Sequence, residues 1–375
     1  MSNKINNLVS ANNKLGFQLF SEIQKSQSDE NVFISPISIA IALSMTYNGA
    51  AGKTQEAMAK TLNFQGMSLE EINQTNKDLR ILLNSLNPEI KLNIANSIWT
   101  RKGISFSPNF IQVNQDFYQS QVREIDFNDP ESPKIINNWV KDKTEGKIEK
   151  IIQALNPNDV MVLLNAIYFQ ANWQQQFSEF STEEMPFYLA NGTKKQHPIM
   201  FQSSRYLYYE NQYFQAVNLP YKKGLVSMYI FLPREQVGLE EFYQVLNEKT
   251  WENWMKKFGG GYEVNLGLPK FKNEYEVTLN DILKSLGMQI AFQGGGADFS
   301  GMSPEKLFIS EVKHKTFVEV NETGTEAAAT TSVRITLESE VITVDMLVNR
   351  PFFFAIRENN SGTILFMGAI TNPKN

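Results

Sequence analysis

Cysteine is absent from the 375 residues, and histidine occurs only at His197 and His314. Without cysteine there is no disulfide framework, no thiolate nucleophile and no sulfur-held zinc. Two histidines leave little for metal or base chemistry, so neither a metal site nor a cofactor is expected. An excess of positive charge is also missing. The net charge of -5 argues against nucleic acid or an anionic lipid surface as partner. The N-terminal stretch MSNKINNLVSANNKLGFQLF holds no apolar core of signal-peptide type, and no later run reaches membrane-spanning length. The expectation is a cytoplasmic monomer with no membrane contact.

The composition is otherwise that of an ordinary globular chain, and no fixed-period repeat divides it. In NVFISPISIAIALSMTYNGAAGKT, Ser35 is placed to cap a helix, Pro36 suits its first turn, and Asn48-Gly49 supplies a stop. The residues between are apolar or small on nearly every side, which predicts a helix buried in the interior. A second helix starts at Ser132-Pro133 and carries Ile135, Ile136, Trp139 and Val140 as its apolar face. Its other face mixes Lys134, Lys141, Lys143 and Lys147 with Asp142, Glu145 and Glu149, the pattern of a solvated surface rather than a basic binding patch. MVLLNAIYF (161–169) and LVSMYIFLP (225–233) read as strands covered on both faces, and PFFFAI and TILFMGAI as a hairpin. Helices dominate the first 150 residues and strands the rest, which predicts an α+β fold with antiparallel or mixed sheets.

Catalytic signatures are missing. There is no G-x-S-x-G elbow, no H-E-x-x-H pair and no phosphate loop, and Gly294-Gly295-Gly296 lacks the Lys-Ser/Thr continuation. His314 lies in a strand-like context, where a hydrogen-bonded core histidine is the commoner finding than a catalytic base. No catalytic residue is assigned, although a hydrolase using a serine and His314 is kept as a rival.

The segment VNETGTEAAATTSVRITLESE, from Val320, is unusual. Alternate residues from Thr325 are Thr325, Ala327, Ala329, Thr331, Val333, Ile335 and Leu337, all small to apolar. The interleaved set runs from Glu326 to Glu338 and is polar except for Ala328. Period-two alternation places the sets on opposite faces of an extended chain. Yet Ala is a poor strand former, so the segment has little intrinsic drive to pair.

NETGTEAAATTS resembles the reactive-loop hinge of inhibitory serpins. NVFISPISIAIAL, INNWVKDKTEGKI, LLNAIYFQANW, LPYKKGLVSMYIFLP, ADFSGMS, VKHKTFVEVNETG and NRPFFFAIRENNSGTILFMGAITNP resemble serpin segments in family order. The resemblance implies the serpin fold: one domain over 1–375, three β-sheets, about nine helices and an exposed reactive-centre loop at about 322–345. It implies a suicide inhibitor whose partner, a serine protease, cleaves the loop, is trapped as an acyl-enzyme and is carried off as the loop inserts into the main sheet. A non-inhibitory binding or chaperone-like serpin and a cross-class inhibitor of cysteine proteases are the alternatives.

Site roles follow from the same resemblance. Glu322, Gly324, Thr325, Glu326, Ala327, Ala328 and Ala329 match the hinge. Ser35, Ser38, Asn165 and His314 match the polar shutter beneath the opening strands, and Trp173, Lys270 and Glu322 match the breach where insertion starts. Family spacing counts seventeen residues from Glu322 to the cleaved residue, giving Glu338–Ser339 as the reactive bond and Leu337–Glu338 as the alternative. Thr336 and Arg334 rank behind them. An acidic Glu338 would suit a protease with a basic specificity pocket. One departure is Gln170-Ala171 where the family has Lys-Gly, which leaves the local turn open. Another is the sequon Asn321-Glu322-Thr323, where a glycan would obstruct insertion.

Overall fold

The structure is a computed structural model that describes residues 3–86, 89–325 and 342–374. Glu326, Ala327, Ala328, Ala329 and the candidate reactive bonds at Leu337, Glu338 and Ser339 lie outside the described residues.

Nine α-helices occur among the described residues. They are α1 (Asn3–Gln24), α2 (Pro36–Tyr47), α3 (Gly52–Thr61), α4 (Leu69–Asn84), α5 (Pro108–Val113), α6 (Ser132–Lys143), α7 (Gly238–Val245), α8 (Glu248–Met255) and α9 (Asn280–Leu283). The strands are β1 (Val32–Ile34), β2 (Ile90–Arg101), β3 (Gln121–Ile125), β4 (Met161–Asn172), β5 (Thr182–Tyr188), β6 (Lys194–Glu210), β7 (Phe214–Pro220) and β8 (Val226–Pro233). They continue with β9 (Gly259–Pro269), β10 (Phe271–Thr278), β11 (Glu311–Val320), β12 (Gly324–Thr325), β13 (Ile342–Leu347), β14 (Phe352–Glu358) and β15 (Ile364–Ile370).

One sheet has six strands in the order β10-β11-β12-β4-β2-β3. A second network runs β1-β15-β14-β8-β7-β6-β9-β13, with β5 also on β6. Within it β6 serves two sheets: its first part pairs β5 and β9, and Leu207–Glu210 pair β7. A register shift between Tyr206 and Tyr208 marks the change of direction. The three expected sheets are therefore one separate sheet and two that share a strand. The sheets are mixed, with parallel pairs at β2–β3, β4–β11 and β9–β13.

Strand β4 shows why its sequence is a continuous apolar run. Met161, Leu163, Ile167 and Phe169 enter the core shared with α1 and α2. Val162, Leu164, Ala166 and Tyr168 enter a second cluster with Ile136 and Val140 of α6 and with Ile148, Ile151 and Ile152. With helices or chain on both faces, no polar alternation is possible. The strand also runs past its expected end to Asn172, and Gln170-Ala171 form no turn. Helix α2 starts as read: Ser35 Oγ accepts from the Ser38 N–H at 3.3 Å, Pro36 opens the helix, and all twelve residues are buried.

Helix α6 departs from expectation at one residue. Ile136 and Val140, four apart, face the sheet, whereas Ile135 is 47% exposed. Trp139 is half-buried and meets Trp99 edge-on at 6.2 Å. The polar face is solvated and ion-paired, with Lys141–Glu149 at 2.8 Å and Lys134–Glu131 at 3.3 Å. Ile136→Ala should therefore cost about 2–4 kcal/mol while Ile135→Ala stays within about 0.5 kcal/mol. The urea midpoints of the two variants check this difference.

Candidate functional site

The site lies along the join between β4 and β11. These strands pair directly and in parallel from Val162–Glu311 to Tyr168–Phe317. Beyond that pair they diverge, and the two residues of β12 occupy the gap. Gly324 pairs with Asn172, and Thr325 pairs with Ala171 on one side and Val320 on the other. Both pairings of β12 are antiparallel.

Gly324 is required by space as well as by conformation. Its φ is 155°, and a Cβ there would lie 2.2 Å from the carbonyl oxygen of Ala171. Thr325 is fully buried, and its Oγ1 is 2.8 Å from the Tyr221 hydroxyl. Tyr221 stacks on Trp173 with ring centroids 4.5 Å apart. Burial pushes the Tyr221 phenol up, so it stays protonated and available for that hydrogen bond.

The residues just before Gly324 are held by a collar, the segment Trp173–Thr182. The Trp173 Nε1–H donates to the Asn321 carbonyl at 3.0 Å, and the Trp173 N–H to the Thr323 carbonyl at 3.0 Å. The Phe177 N–H donates to the Glu322 carbonyl at 2.9 Å, and Thr182 Oγ1 to Glu322 Oε1 at 2.8 Å. Lys270 Nζ lies 3.0 Å from Glu322 Oε2. Burial pushes the Glu322 carboxyl up, but the hydrogen bonds from Lys270 and Thr182 outweigh it and leave it below its usual range. Asn321 Oδ1 accepts from the Thr323 N–H, the Thr323 hydroxyl and the Gly324 N–H, closing the turn. Trp173, Lys270 and Glu322 are thus brought together around the first residues of the hinge.

Farther down, polar side chains form a row across the sheet. The register places Asn96 opposite Asn165, and Asn165 opposite His314. All three lie on the face toward α2. The Ser35 N–H donates to His314 Nε2 at 3.0 Å, so the ring proton sits on Nδ1 and is donated to Asn165 Oδ1. Asn165 Nδ2 then donates toward Ser38 and Asn96. Ser35 Oγ donates to the Leu365 carbonyl at 2.6 Å, and Thr316 Oγ1 to the Phe33 carbonyl at 2.6 Å. Burial pushes the His314 imidazole down to about 3, so it is neutral at pH 7. Its nitrogen meets a backbone N–H rather than a hydroxyl, which is not the arrangement of a serine–histidine pair.

The structure brings Ser35, Ser38, Asn165 and His314 together, and adds residues that sequence reading missed. Asn96 lay in an alternating strand, where an amide at a covered position needs a partner, and that signal was readable. Tyr221 and Thr182 gave none, because their partners are more than a hundred residues away. Of the range 322–345, Glu322–Thr325 are anchored as described, and Ile342–Asp345 are already in β13 on β9.

The serpin family model, described as a serine protease inhibitor, matches residues 10–373. The chain belongs to the serpin family. Among curated relatives, this serpin is 36% identical to human leukocyte elastase inhibitor over 98% of its own length and 99% of that protein. It is 37% identical to an uncharacterised serpin-like protein of Thermococcus kodakarensis, over 98% of this chain and 86% of that one. Solved structures of similar shape include human thyroxine-binding globulin with thyroxine, at TM-score 0.92 and 30% identity over 99% of this chain and 100% of that one. The native state of the thermophilic serpin tengpin matches at TM-score 0.89 and 35% identity, over 99% and 95%. The similar proteins thus include both a named elastase inhibitor and a thyroxine-binding globulin.

The neutral His314 carries a pH signature. Its pKa in the fold, about 3, lies below the ordinary histidine value of 6.5, so the unfolded chain takes up the proton first. The stability contributed is complete above about pH 6.5 and is lost progressively as pH falls toward 3. The melting temperature should therefore drop between pH 7 and 4.5. His314→Gln should lower it at pH 7 and flatten its dependence across that window; an unchanged slope would count against the assignment.

Proposed function

We propose that this serpin inhibits serine proteases as a suicide substrate, the whole chain acting as one domain. The observation that carries the reading is the seating of Gly324 and Thr325 between β4 and β11, antiparallel to both, while the same strands remain paired to each other below. Insertion is begun, and its track is still shut.

The protease serine attacks the carbonyl carbon of Glu338, with Leu337 as the alternative. The bond to Ser339 breaks, the proton passes to the new amine of Ser339, and an ester links the enzyme to the loop. The released loop extends the pairing begun at Thr325. At about 3.3 Å per residue, a fifteen-residue insert carries the bound enzyme about 50 Å. Trp173, Lys270 and Glu322 hold the starting end, and the row of Asn165 and His314 is the lock to be parted.

The existing register, continued along the loop, supports a replacement for that lock. Six residues on from Thr325, and six back from Ala171 and Val320, the three strands would meet at Thr331, Asn165 and His314 after insertion. Thr331 belongs to the inward-facing set. Its hydroxyl would accept from His314 Nδ1–H and donate to Asn165 Oδ1, so no buried polar group would be orphaned when the strands separate.

Incubation with chymotrypsin, pancreatic elastase and a glutamate-specific serine protease should give a covalent complex that survives denaturing electrophoresis, with cleavage after Glu338 by mass spectrometry. Nicking by every enzyme without a complex would overturn the reading. The likeness to thyroxine-binding globulin supports a second reading, a binding protein whose loop does not insert, for which cleavage would leave the melting temperature where it was. Thr331→Val should leave the uncut protein unchanged and reduce the rise in melting temperature on cleavage, by the cost of about 1–3 kcal/mol for an unsatisfied buried group.

A further inference from the structure

The turn at Glu179–Ser181 presents Phe180 wholly to solvent, at 101% relative exposure. Among the described residues the next most exposed large hydrophobic side chain is Ile342, at 61%. Aromatic side chains belong to cores and interfaces, and one standing free on a well-anchored turn calls for a partner. The turn is well anchored: on either side of Phe180, the Phe177 N–H and the Thr182 hydroxyl both bond to Glu322. Glu179, Glu183 and Glu184 surround it in sequence, all exposed, and none has an ion-pair partner among the described residues.

We propose that this turn is an auxiliary docking point for the target protease, fitted to an enzyme with a basic surface beside its active-site cleft and an apolar recess to take Phe180. The proposal rests on the inhibitory reading above. Its location supports this occupant. The loop leaves the six-stranded sheet after Thr325 and the chain returns at Ile342 in β13, which pairs β9, then β6, then β5. Strand β5 begins at Thr182, whose hydroxyl holds Glu322, so the turn lies beside the root at which the loop leaves the sheet, a surface the enzyme must approach. Charge argues against the obvious rival, a second copy of the chain. Joined by symmetry, two such turns would bring carboxylates of like sign together, and each chain carries a net charge of -5. A basic enzyme would instead be steered toward this end of the molecule.

The test compares second-order rate constants of complex formation for the wild type, Phe180→Ser, Phe180→Leu and the triple variant Glu179→Lys, Glu183→Lys, Glu184→Lys, using whichever of the three proteases above forms the complex. Phe180→Ser should slow association by about 3–10-fold, with Phe180→Leu recovering most of the rate. The triple variant should be slower at low ionic strength and should flatten the salt dependence. The number of inhibitor molecules consumed per enzyme should not change, because that ratio is set by insertion after acylation, and melting temperatures should match. Rates within about 1.5-fold of wild type in both Phe180→Ser and the triple variant would overturn the docking point while leaving inhibition intact. So would a changed consumption ratio, which would place Phe180 in insertion, or Phe180-dependent self-association in sedimentation. Absence of any covalent complex with the wild type would overturn inhibition, and this proposal with it.

Discussion

Pairing between β4 and β11 is the constraint on which the rest of the molecule depends. The two strands run parallel, and parallel ladders are slightly weaker per residue than antiparallel ones. A chain entering between them as β12 does would be antiparallel to both neighbours. Each inserted residue would exchange water for strand partners on two sides, and one parallel ladder would give way to two antiparallel ones. On the proposed reading the uncut protein is therefore held short of its most stable arrangement by connectivity, since an intact loop is tied to β13 at its far end. Its persistence is a matter of rate.

On the proposed reading, the polar row across the sheet is what makes that rate controllable. Separating β4 and β11 by one strand doubles a spacing of about 4.8 Å and removes Asn165 from reach of His314. In an apolar interior each orphaned group is costly, so a partly opened sheet is worse than a closed or a fully filled one. On that reading the row favours two states over a continuum. Keeping the histidine neutral matters here, because a charged ring would have no acceptor at Nε2, where it meets only the Ser35 N–H.

Much of this was legible in the sequence, for physical reasons that differ by element. Strand β4 was readable because burial on both faces demands a continuous apolar run, and α2 because Ser35 and Pro36 mark its start. Of the hinge residues, Glu322, Gly324 and Thr325 lie among the described residues, and they were picked out by resemblance to the family rather than by composition. Ile135 was misplaced because periodicity cannot tell the contact line of a helix from the edge just beside it. The collar was not readable at all: Phe177 acts through its backbone N–H, which any residue but proline would supply, and Tyr221 is joined to Thr325 only by folding. Nor was the sharing of β6 by two sheets, which depends on a register shift rather than on composition.

The one irregularity in the hinge's alternation finds its reason in the same register. Direct pairing of β4 with β11 ends at Tyr168–Phe317, so a chain inserting onward from Thr325 in the same register would meet no closed pair opposite positions 326 and 327. The first pair to be parted falls opposite position 328. That position belongs to the face covered by α6, where Tyr168 and Phe317 lie with ring centroids 6.3 Å apart. A polar side chain there would be driven under an apolar layer, and a large one would have to displace two aromatic rings as the ladder parts. Ala328 asks for neither. Glu326, two residues before it in the outward set, falls where β4 and β11 are already apart. On the proposed mechanism the alanine marks the step at which opening begins to cost the sheet its own hydrogen bonds.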